Sequence, residues 1–304
     1  MRNAFAKEIT NLARVNEDIV LLAGDIGNRL FDGFKEENPK RFYNCGIAEA
    51  LMTGVASGLA TSSFSPVTYT ITPFNTLRCL EQIKLDVCYP NLPVTIVGTG
   101  SGLSYASLGA THHSLDDIAV MRMLPNMQIL VPGDSYEVVG CLRAAIESKK
   151  PTYIRLGKKG EPVIHQEPFS YQIGKIIPIQ KGEKNLVISV GNMLSECVLA
   201  TKEFEAEYQI RSELVSLASV NPLDEDYLKS AFEKFDQVLV VEEHGFTGGA
   251  GSAILEWAHR HDRDVRKLKL INTGKEFVTG AGSQANARIR LQLDSNSILK
   301  RLKA

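Results

Sequence analysis

The sequence predicts an α/β protein with two domains, each built on a mostly parallel sheet flanked by helices. Short segments that are apolar at every position, such as IVLLA at Ile19–Ala23, alternate with segments whose apolar residues recur at helical spacing. Continuously apolar strands are typical of a parallel sheet that helices cover on both faces. The chain has 304 residues, which suits two domains of about 150 residues each.

The first part of the chain predicts one α/β domain. Phe5, Ile9 and Leu12 recur at helical spacing. Pro73 suits the first turn of a helix, and Asp134 suits the N-cap of another. Helices are therefore predicted at 3–14, 49–59, 73–87 and 135–147, and strands at 19–23, 67–71, 93–97, 127–131 and 152–156.

The second part predicts another α/β domain after a linker. Residues 157–182 are rich in glycine, lysine and proline and show no sustained periodicity, which is typical of a connecting segment. We predict domains at 1–165 and 183–304, joined by a linker at 166–182. The second domain has predicted strands at 186–190, 211–216, 237–241 and 267–271, and predicted helices at 195–208, 224–235 and 249–261.

Charge and composition argue against several classes of protein. The 34 basic and 35 acidic residues give a net charge of −1, whereas nucleic-acid-binding proteins usually carry a basic surface. No apolar run approaches the ~20 residues of a membrane-spanning helix, and the N-terminus does not resemble a signal peptide. The five cysteines are widely spaced and lack a CxxC pair, so no disulfide framework or zinc site is expected. We expect a cytoplasmic protein that binds neither nucleic acid nor membrane.

The first candidate for chemistry is Glu49, at the start of a helix of small and apolar residues. Its neighbours Ile47, Leu51 and Val55 favour burial. Burial disfavours a charged carboxyl unless it finds a partner, so Glu49 could share a proton with a ligand nitrogen. Alternatively, Glu49 is an ordinary first-turn glutamate that complements the helix dipole.

The second candidate is a long glycine-rich loop at 98–113 that follows the strand at 93–97. It contains Gly98, Gly100 and Gly102 and ends in His112 and His113. Ligands of α/β proteins bind at this carboxyl end of the strands, and glycines let the backbone approach them closely. Adjacent histidines rarely face one metal ion, so no metal ligand is predicted in this chain. The alternative is a solvated loop whose aspartates cap the next helix.

The third candidate is Arg155, near the end of a strand and close to Gly157, Lys158 and Lys159. An arginine there could hold a phosphate or carboxylate through its fork of N–H donors. Alternatively, the segment is a basic surface turn.

Four segments, taken in order, resemble the transketolase family of thiamine diphosphate enzymes. This resemblance covers most of the chain and implies a pyrimidine-binding domain followed by a transketolase C-terminal domain. The segments are FYNCGIAE at 42–49, SLGATHHSLDDIAVMRMLPNMQILVPGD at 107–134, PTYIRLGKKG at 151–160 and VEEHGFTGGAGSA at 241–253.

The resemblance implies roles for individual residues at the cofactor. Glu49 would hydrogen-bond the aminopyrimidine ring of thiamine diphosphate and promote its imino form. Phe74 and Arg78 fall in the region where the family presents an aromatic ring and an arginine to the pyrimidine.

The resemblance also implies roles at the substrate. His112 would face the substrate hydroxyls, and Arg155 would hold a substrate phosphate. Leu108 stands where sugar-phosphate transketolases often have an aspartate, so the sugar is expected to be unusual.

The family's GDG…NN motif, which holds the cofactor's diphosphate and Mg²⁺, has no counterpart in this sequence. The resemblance therefore implies the C-terminal subunit of a split transketolase, with an N-terminal subunit as partner in an α2β2 assembly. Such an enzyme would transfer a two-carbon ketol unit between a ketose and an aldose, with sugars or sugar phosphates as substrates. The alternatives are the C-terminal half of a deoxyxylulose phosphate synthase-like or 2-oxo acid dehydrogenase E1 beta-like enzyme, or a non-catalytic regulatory subunit.

Overall fold

The computed structural model describes residues 1–27, 29–158, 160–280 and 282–303, and it confirms an α/β fold with two mostly parallel sheets. No helix in these ranges has both the length and the apolar character needed to cross a bilayer. The strands are β1 (Ile19–Ala23), β2 (Phe42–Asn44), β3 (Ser65–Ile71), β4 (Thr95–Thr99), β5 (Gln128–Leu130), β6 (Thr152–Leu156), β7 (Ile177–Gln180), β8 (Asn185–Ser189), β9 (Glu213–Ser216), β10 (Ser219–Asn221), β11 (Gln237–Val241) and β12 (Leu268–Ile271).

The helices connect these strands and cover the sheets. They are α1 (Arg2–Val15), α2 (Asp32–Glu37), α3 (Glu49–Thr61), α4 (Thr72–Asn75), α5 (Leu80–Gln82), α6 (Asp117–Arg122), α7 (Ser135–Ser148), α8 (Leu194–Tyr208), α9 (Glu225–Lys234), α10 (Ala250–Arg260), α11 (Gln284–Arg290) and α12 (Ser295–Lys303).

The first sheet has the strand order β10-β5-β6-β4-β3-β1-β2, and every neighbouring pair is parallel except β10 with β5. Its central strands β1, β3, β4 and β6 are almost completely buried because both faces of the sheet are covered. Leu21 packs with residues of α1 and α7 in one core, whereas Leu22 packs with residues of α3 and α6 in the other. The strand β10 comes from the second half of the chain, so the two halves share this sheet.

The second sheet has the order β12-β11-β8-β9-β7, in which β7 alone is antiparallel to its neighbour. The strand β7 lies inside the segment predicted as a linker, 166–182. It is four residues long, contains Pro178 and is only partly buried, so it lacks the apolar signature of the other strands. The predicted domain bounds themselves stay a prediction.

The prediction of one continuous helix at 73–87 was wrong. The chain there is divided into α4, a 3₁₀ turn at Leu77–Cys79, α5 and a π turn at Ile83–Cys88. Thr76 has φ −123° and ψ −80°, which is not helical backbone. Asn75 explains part of the break, since its side chain is buried and donates to the Val97 carbonyl of β4 instead of lying on a helix surface.

Candidate functional site

The candidate site lies along the carboxyl edge of the first sheet. Parallel strands end at the same edge, and ligands of α/β proteins bind there. The segment after β2 leads to Glu49, the one after β3 carries Phe74 and Arg78, the one after β4 carries His112, and the one after β6 carries Lys158. Loops from four strands therefore bring these side chains to one edge.

Glu49 opens α3 and is almost completely buried, with 2% of its surface exposed. Its Oε2 accepts a hydrogen bond from Nη1 of Arg78 at 2.6 Å, and no hydrogen bond to its Oε1 is found among the described residues. Gly24 lies against it, because a Cβ on Gly24 would stand 3.3 Å from the Glu49 Cγ. A buried carboxylate with one committed oxygen can use the other to bind a ligand N–H.

Arg78, Phe74 and His112 continue the site from Glu49. The Arg78 guanidinium carbon lies 4.3 Å from the centroid of the Phe74 ring. The Phe74 and His112 rings meet edge to face, with centroids 5.2 Å apart and an interplanar angle of 71°. The structure thus places four of the five predicted site residues in one continuous row of contacts.

His112 is partly buried, and its Nδ1 lies 2.9 Å from Oγ1 of Thr111. Burial and the neighbouring His113 lower the pKa of His112, so its imidazole is neutral at pH 7. The two histidines have different surroundings, because His113 is buried and its Nε2 lies 3.2 Å from the Ala106 carbonyl. His112 can therefore accept or donate a hydrogen bond at the surface of the site.

The row of contacts ends in a cation that the sequence pattern did not single out. Lys158 Nζ lies 4.7 Å from the centroid of the Tyr105 ring, and the rings of Tyr105 and His112 are 6.1 Å apart. Burial raises the pKa of the Tyr105 phenol, so the ring that the ammonium faces is neutral. The predicted end of β6 could have indicated Lys158: the strand ends at Leu156, so a residue two positions later lies at the edge of the sheet.

Arg155 does not lie in this row. It is 2% exposed and inside β6, where its Nε donates to Oδ2 of Asp117 at 2.7 Å. Its Nη2 donates to the carbonyls of Ser114, at 2.7 Å, and Glu243, at 3.0 Å. Burial opposes its charge, but Asp117 outweighs that cost and raises the pKa of Arg155. This geometry makes Arg155 a buried ion-pair residue of the first domain that also donates to a carbonyl of the second, and it does not favour the predicted contact with a substrate phosphate.

One trio of metal-ligand side chains, Asp134, Glu137 and His165, is close-set in the part of the chain that the structure describes. The carboxylate oxygens of Asp134 and Glu137 already accept hydrogen bonds from other groups of the protein. Asp134 accepts four backbone N–H bonds, two of them as the N-cap of α7, as predicted. Glu137 accepts from Gly133 N and Ser216 Oγ and lies 2.9 Å from Nε2 of His165. The trio therefore does not fit a Mg²⁺ site. It instead ties residues 164 and 165 to the start of α7.

The residues of the row fit part of thiamine diphosphate. A buried carboxylate with a free oxygen suits a hydrogen bond to an aminopyrimidine, and an aromatic ring beside it suits a flat heterocycle. Magnesium and a diphosphate need several hard oxygen ligands and cations, and this row offers neither set. The fit is therefore to the pyrimidine end of the cofactor.

Two family models match the chain. Residues 1–161 match the transketolase pyrimidine-binding domain, and residues 174–291 match the transketolase C-terminal domain.

Named relatives are similar over most of their length. A putative transketolase C-terminal section of Methanocaldococcus jannaschii is 33% identical, and the match covers 99% of this chain and 95% of that protein. A subunit of the apulose-4-phosphate transketolase of Actinobacillus succinogenes is 36% identical over 88% of this chain and 85% of its own length.

A solved structure of a split gene transketolase, described as an inactive beta4 tetramer, has a TM-score of 0.90 to this chain. Its sequence is 31% identical, and the superposition covers 99% of this chain and 96% of that one.

Proposed function

This chain belongs to the transketolase family, and from that premise we propose that it supplies the pyrimidine-binding half of a thiamine diphosphate-dependent ketol-transfer site. The observation that carries the proposal is Glu49, a buried carboxylate beside Phe74 and Arg78 whose Oε1 accepts no hydrogen bond from the described residues. When bound, the cofactor supplies electron acceptance during carbon–carbon bond cleavage, and the protein supplies orientation and electrostatics.

Glu49 is the residue that we propose to handle the proton at the cofactor ring. Its Oε1 would accept a hydrogen bond from, or share a proton with, a ring nitrogen of the aminopyrimidine. Arg78 holds Oε2 at 2.6 Å and so fixes the carboxylate plane. A positioned proton-transfer group contributes about 10²–10⁴-fold in rate.

His112 and Lys158 are proposed to hold the substrate. The neutral imidazole of His112 can bond a sugar hydroxyl as donor or acceptor. Lys158 is linked to His112 through the Tyr105 ring, which lies 4.7 Å from the Lys158 Nζ and 6.1 Å from the His112 ring. A cation there favours an anionic group, and the similarity to a protein named for apulose 4-phosphate supports a sugar phosphate.

We propose that a second chain provides the diphosphate and Mg²⁺ site, in an α2β2 assembly. The names of the relatives, a C-terminal section and a transketolase subunit, support a partner. An apolar stripe beside Glu49 supports it too: Leu51 and Val55, one turn apart on α3, are 66% and 42% exposed, and Ile47, just before the helix, is 79% exposed. Exposed apolar side chains in a row are typical of a protein interface. The five cysteines are all unpaired, which supports a cytoplasmic location.

The test is ketol transfer by the complex of this chain with its partner, using the Glu49→Gln variant. The amide keeps the shape of the side chain but cannot share a proton, so we expect turnover to fall about 10²–10⁴-fold. Glu8→Gln is the matched control. Glu8 is equally buried and forms a 2.6 Å ion pair with Arg143, but it lies on α1, away from the site. Equal turnover of both variants would refute the role of Glu49.

The same complex separates the alternative functions. Pyruvate consumption without ketose cleavage would indicate a synthase-like or dehydrogenase-like reaction. If the wild-type chain left the partner's activity unchanged or only modulated it, the chain would be a regulatory subunit.

Lys158→Ala tests the anion end of the site. We expect KM for a phosphorylated sugar to rise roughly tenfold or more, since a charge-assisted hydrogen bond contributes ~1.5–3 kcal/mol. Lys275→Ala is the control, because Lys275 also lies over an aromatic ring, that of Phe246, but in the C-terminal domain. Equal losses with phosphorylated and unphosphorylated sugars would exclude a phosphate contact at Lys158.

A further inference from the structure

A buried carboxylate of the second domain holds the loop that carries His112. Glu243 follows β11, has no exposed surface and accepts four side-chain or backbone donors. Three come from its own domain: Nε of Arg288 at 2.6 Å, Nδ2 of Asn192 at 3.0 Å and Nε2 of Gln284 at 3.0 Å. The fourth is the backbone N–H of Leu103, at 2.8 Å, in the glycine-rich loop of the first domain.

Gly102 shows how closely the loop approaches this carboxylate. A Cβ at Gly102 would stand 2.2 Å from Oε2 of Glu243, and its φ of +59° is a conformation that side chains rarely adopt. Ser114 N donates to the Gly102 carbonyl at 2.9 Å, which closes the base of the loop. Arg155 bonds the carbonyls of both Ser114 and Glu243, and the Gly245 amide donates to the Leu115 carbonyl at 2.7 Å, so the loop base is also fixed to the second domain.

The charges in this network favour an ionised Glu243. Burial alone would raise its pKa, but Arg288 and the Leu103 amide lower it. A buried carboxylate in this state holds its donors firmly, since hydrogen bonds to charged groups are about twice as strong as neutral ones.

We propose that Glu243 is a positioning residue for the reaction and that, through it, the C-terminal domain sets the place of His112 in the site. Glu243 acts on the loop and does not touch the reacting atoms. The role in the reaction rests on the proposed function, whereas the restraint on the loop does not. Nothing else in the described network links the Leu103 amide to the second domain.

The experiment compares Glu243→Gln with Glu242→Gln. A glutamine at 243 has one acceptor oxygen, which the Arg288 guanidinium will take, so its NH₂ faces the Leu103 N–H. Glu242 is the matched control because it is similarly buried and, among the described residues, its carboxylate accepts only from Ala250 N and Gly251 N of the second domain. Hydrogen exchange of peptides from 100–114 in the purified chain reports on the loop, and kcat of the complex reports on its consequence.

We expect Glu243→Gln to speed exchange in 100–114 roughly tenfold or more over the control, given the strength of a charge-assisted bond. We also expect kcat to fall about 10–100-fold, since a misplaced group commonly costs ~10² in rate. Equal loop exchange in the two variants would overturn the proposal, and so would faster exchange without a loss of kcat. If the wild-type complex showed no ketol transfer, the proposed function would fail, while loop exchange would still decide whether Glu243 restrains the loop.

A second pair of variants, at glycines, tests the proposal if Glu243→Gln does not fold. Gly102→Ala pushes a Cβ into Glu243, whereas Gly280→Ala has a matching φ of +61° and meets nothing within 4 Å. Both alanines carry similar backbone strain. The proposal requires faster loop exchange and lower kcat in Gly102→Ala only, and equal effects of the two alanines would contradict it.

Discussion

Removal of Arg155 separates its two possible roles. In Arg155→Ala, Asp117 loses its buried ion-pair partner, and the Tyr153 hydroxyl at 2.6 Å is the one remaining donor to its carboxylate in the part of the chain that the structure describes. The carbonyls of Ser114 and Glu243 lose their donor as well. Both side chains of the pair are at most 1% exposed, so water cannot replace these bonds.

The expected cost follows from that burial. Breaking a buried ion pair by removal of one partner typically costs about 3–5 kcal/mol. For a protein of this size, each kcal/mol lowers Tm by roughly 2–4 °C, so we expect a drop of about 6–20 °C. A surface phosphate clamp would instead leave Tm nearly unchanged.

Thermal denaturation of the purified chain measures this effect, with Arg14→Ala as control. Arg14 also pairs with a carboxylate, Glu37, but the two side chains are 55% and 37% exposed, so its loss should leave Tm nearly unchanged. A Tm within about 2 °C of wild type, together with a KM that rises only for phosphorylated substrates, would refute the ion-pair role and restore the phosphate clamp.

Three further predictions concern pH and assembly. Burial lowers the pKa of His165, but the hydrogen bond and the charge of Glu137 raise it by more, so the pKa in the folded state lies above 6.5. The stability that protonated His165 gives the folded protein is therefore fully present below pH 6.5 and is lost as pH rises through the folded-state pKa. The Tm gap between wild type and His165→Gln should narrow above pH 6.5, and a constant gap from pH 5 to 9 would contradict this. Because burial and His113 lower the pKa of His112, the midpoint of the fall in kcat/KM at acid pH should lie below pH 6.5. The His112→Asn variant should lack this fall, and a midpoint above pH 6.5 in the wild type would contradict the role of His112. Leu51→Glu should weaken the association of this chain with its partners in light scattering without lowering its own Tm, since Leu51 is exposed; unchanged assembly would exclude the apolar stripe as an interface.

Much of the fold could be predicted because burial leaves a local trace in the sequence. The central strands β1, β3, β4 and β11 are covered on both faces, so nearly all of their residues are buried and most are apolar. The short strands β2 and β7 lie at sheet edges, and β10 gains its place by pairing with β5 of the other domain. Such pairing depends on distant parts of the chain, so local periodicity did not predict it.

The candidate site shows the same division. The row from Glu49 to His112 follows from segments that leave parallel strands at the same edge of one sheet, which the order of elements indicates. The place of Arg155 depends on its register inside β6 and on Asp117 and Glu243, which come from distant segments. A basic residue beside glycines fits either a surface clamp or a buried ion pair, and only the packed structure distinguishes them.

Calorimetry of thiamine diphosphate binding in the presence of Mg²⁺ tests the central claim most directly. The titration is carried out on this chain alone and on its complex with the chain that provides the diphosphate-binding domain. A half-site that meets only the pyrimidine end predicts weak or undetectable binding by the chain alone and tight, saturable binding by the complex. Tight binding or ketol transfer by the chain alone would contradict a site divided between two chains.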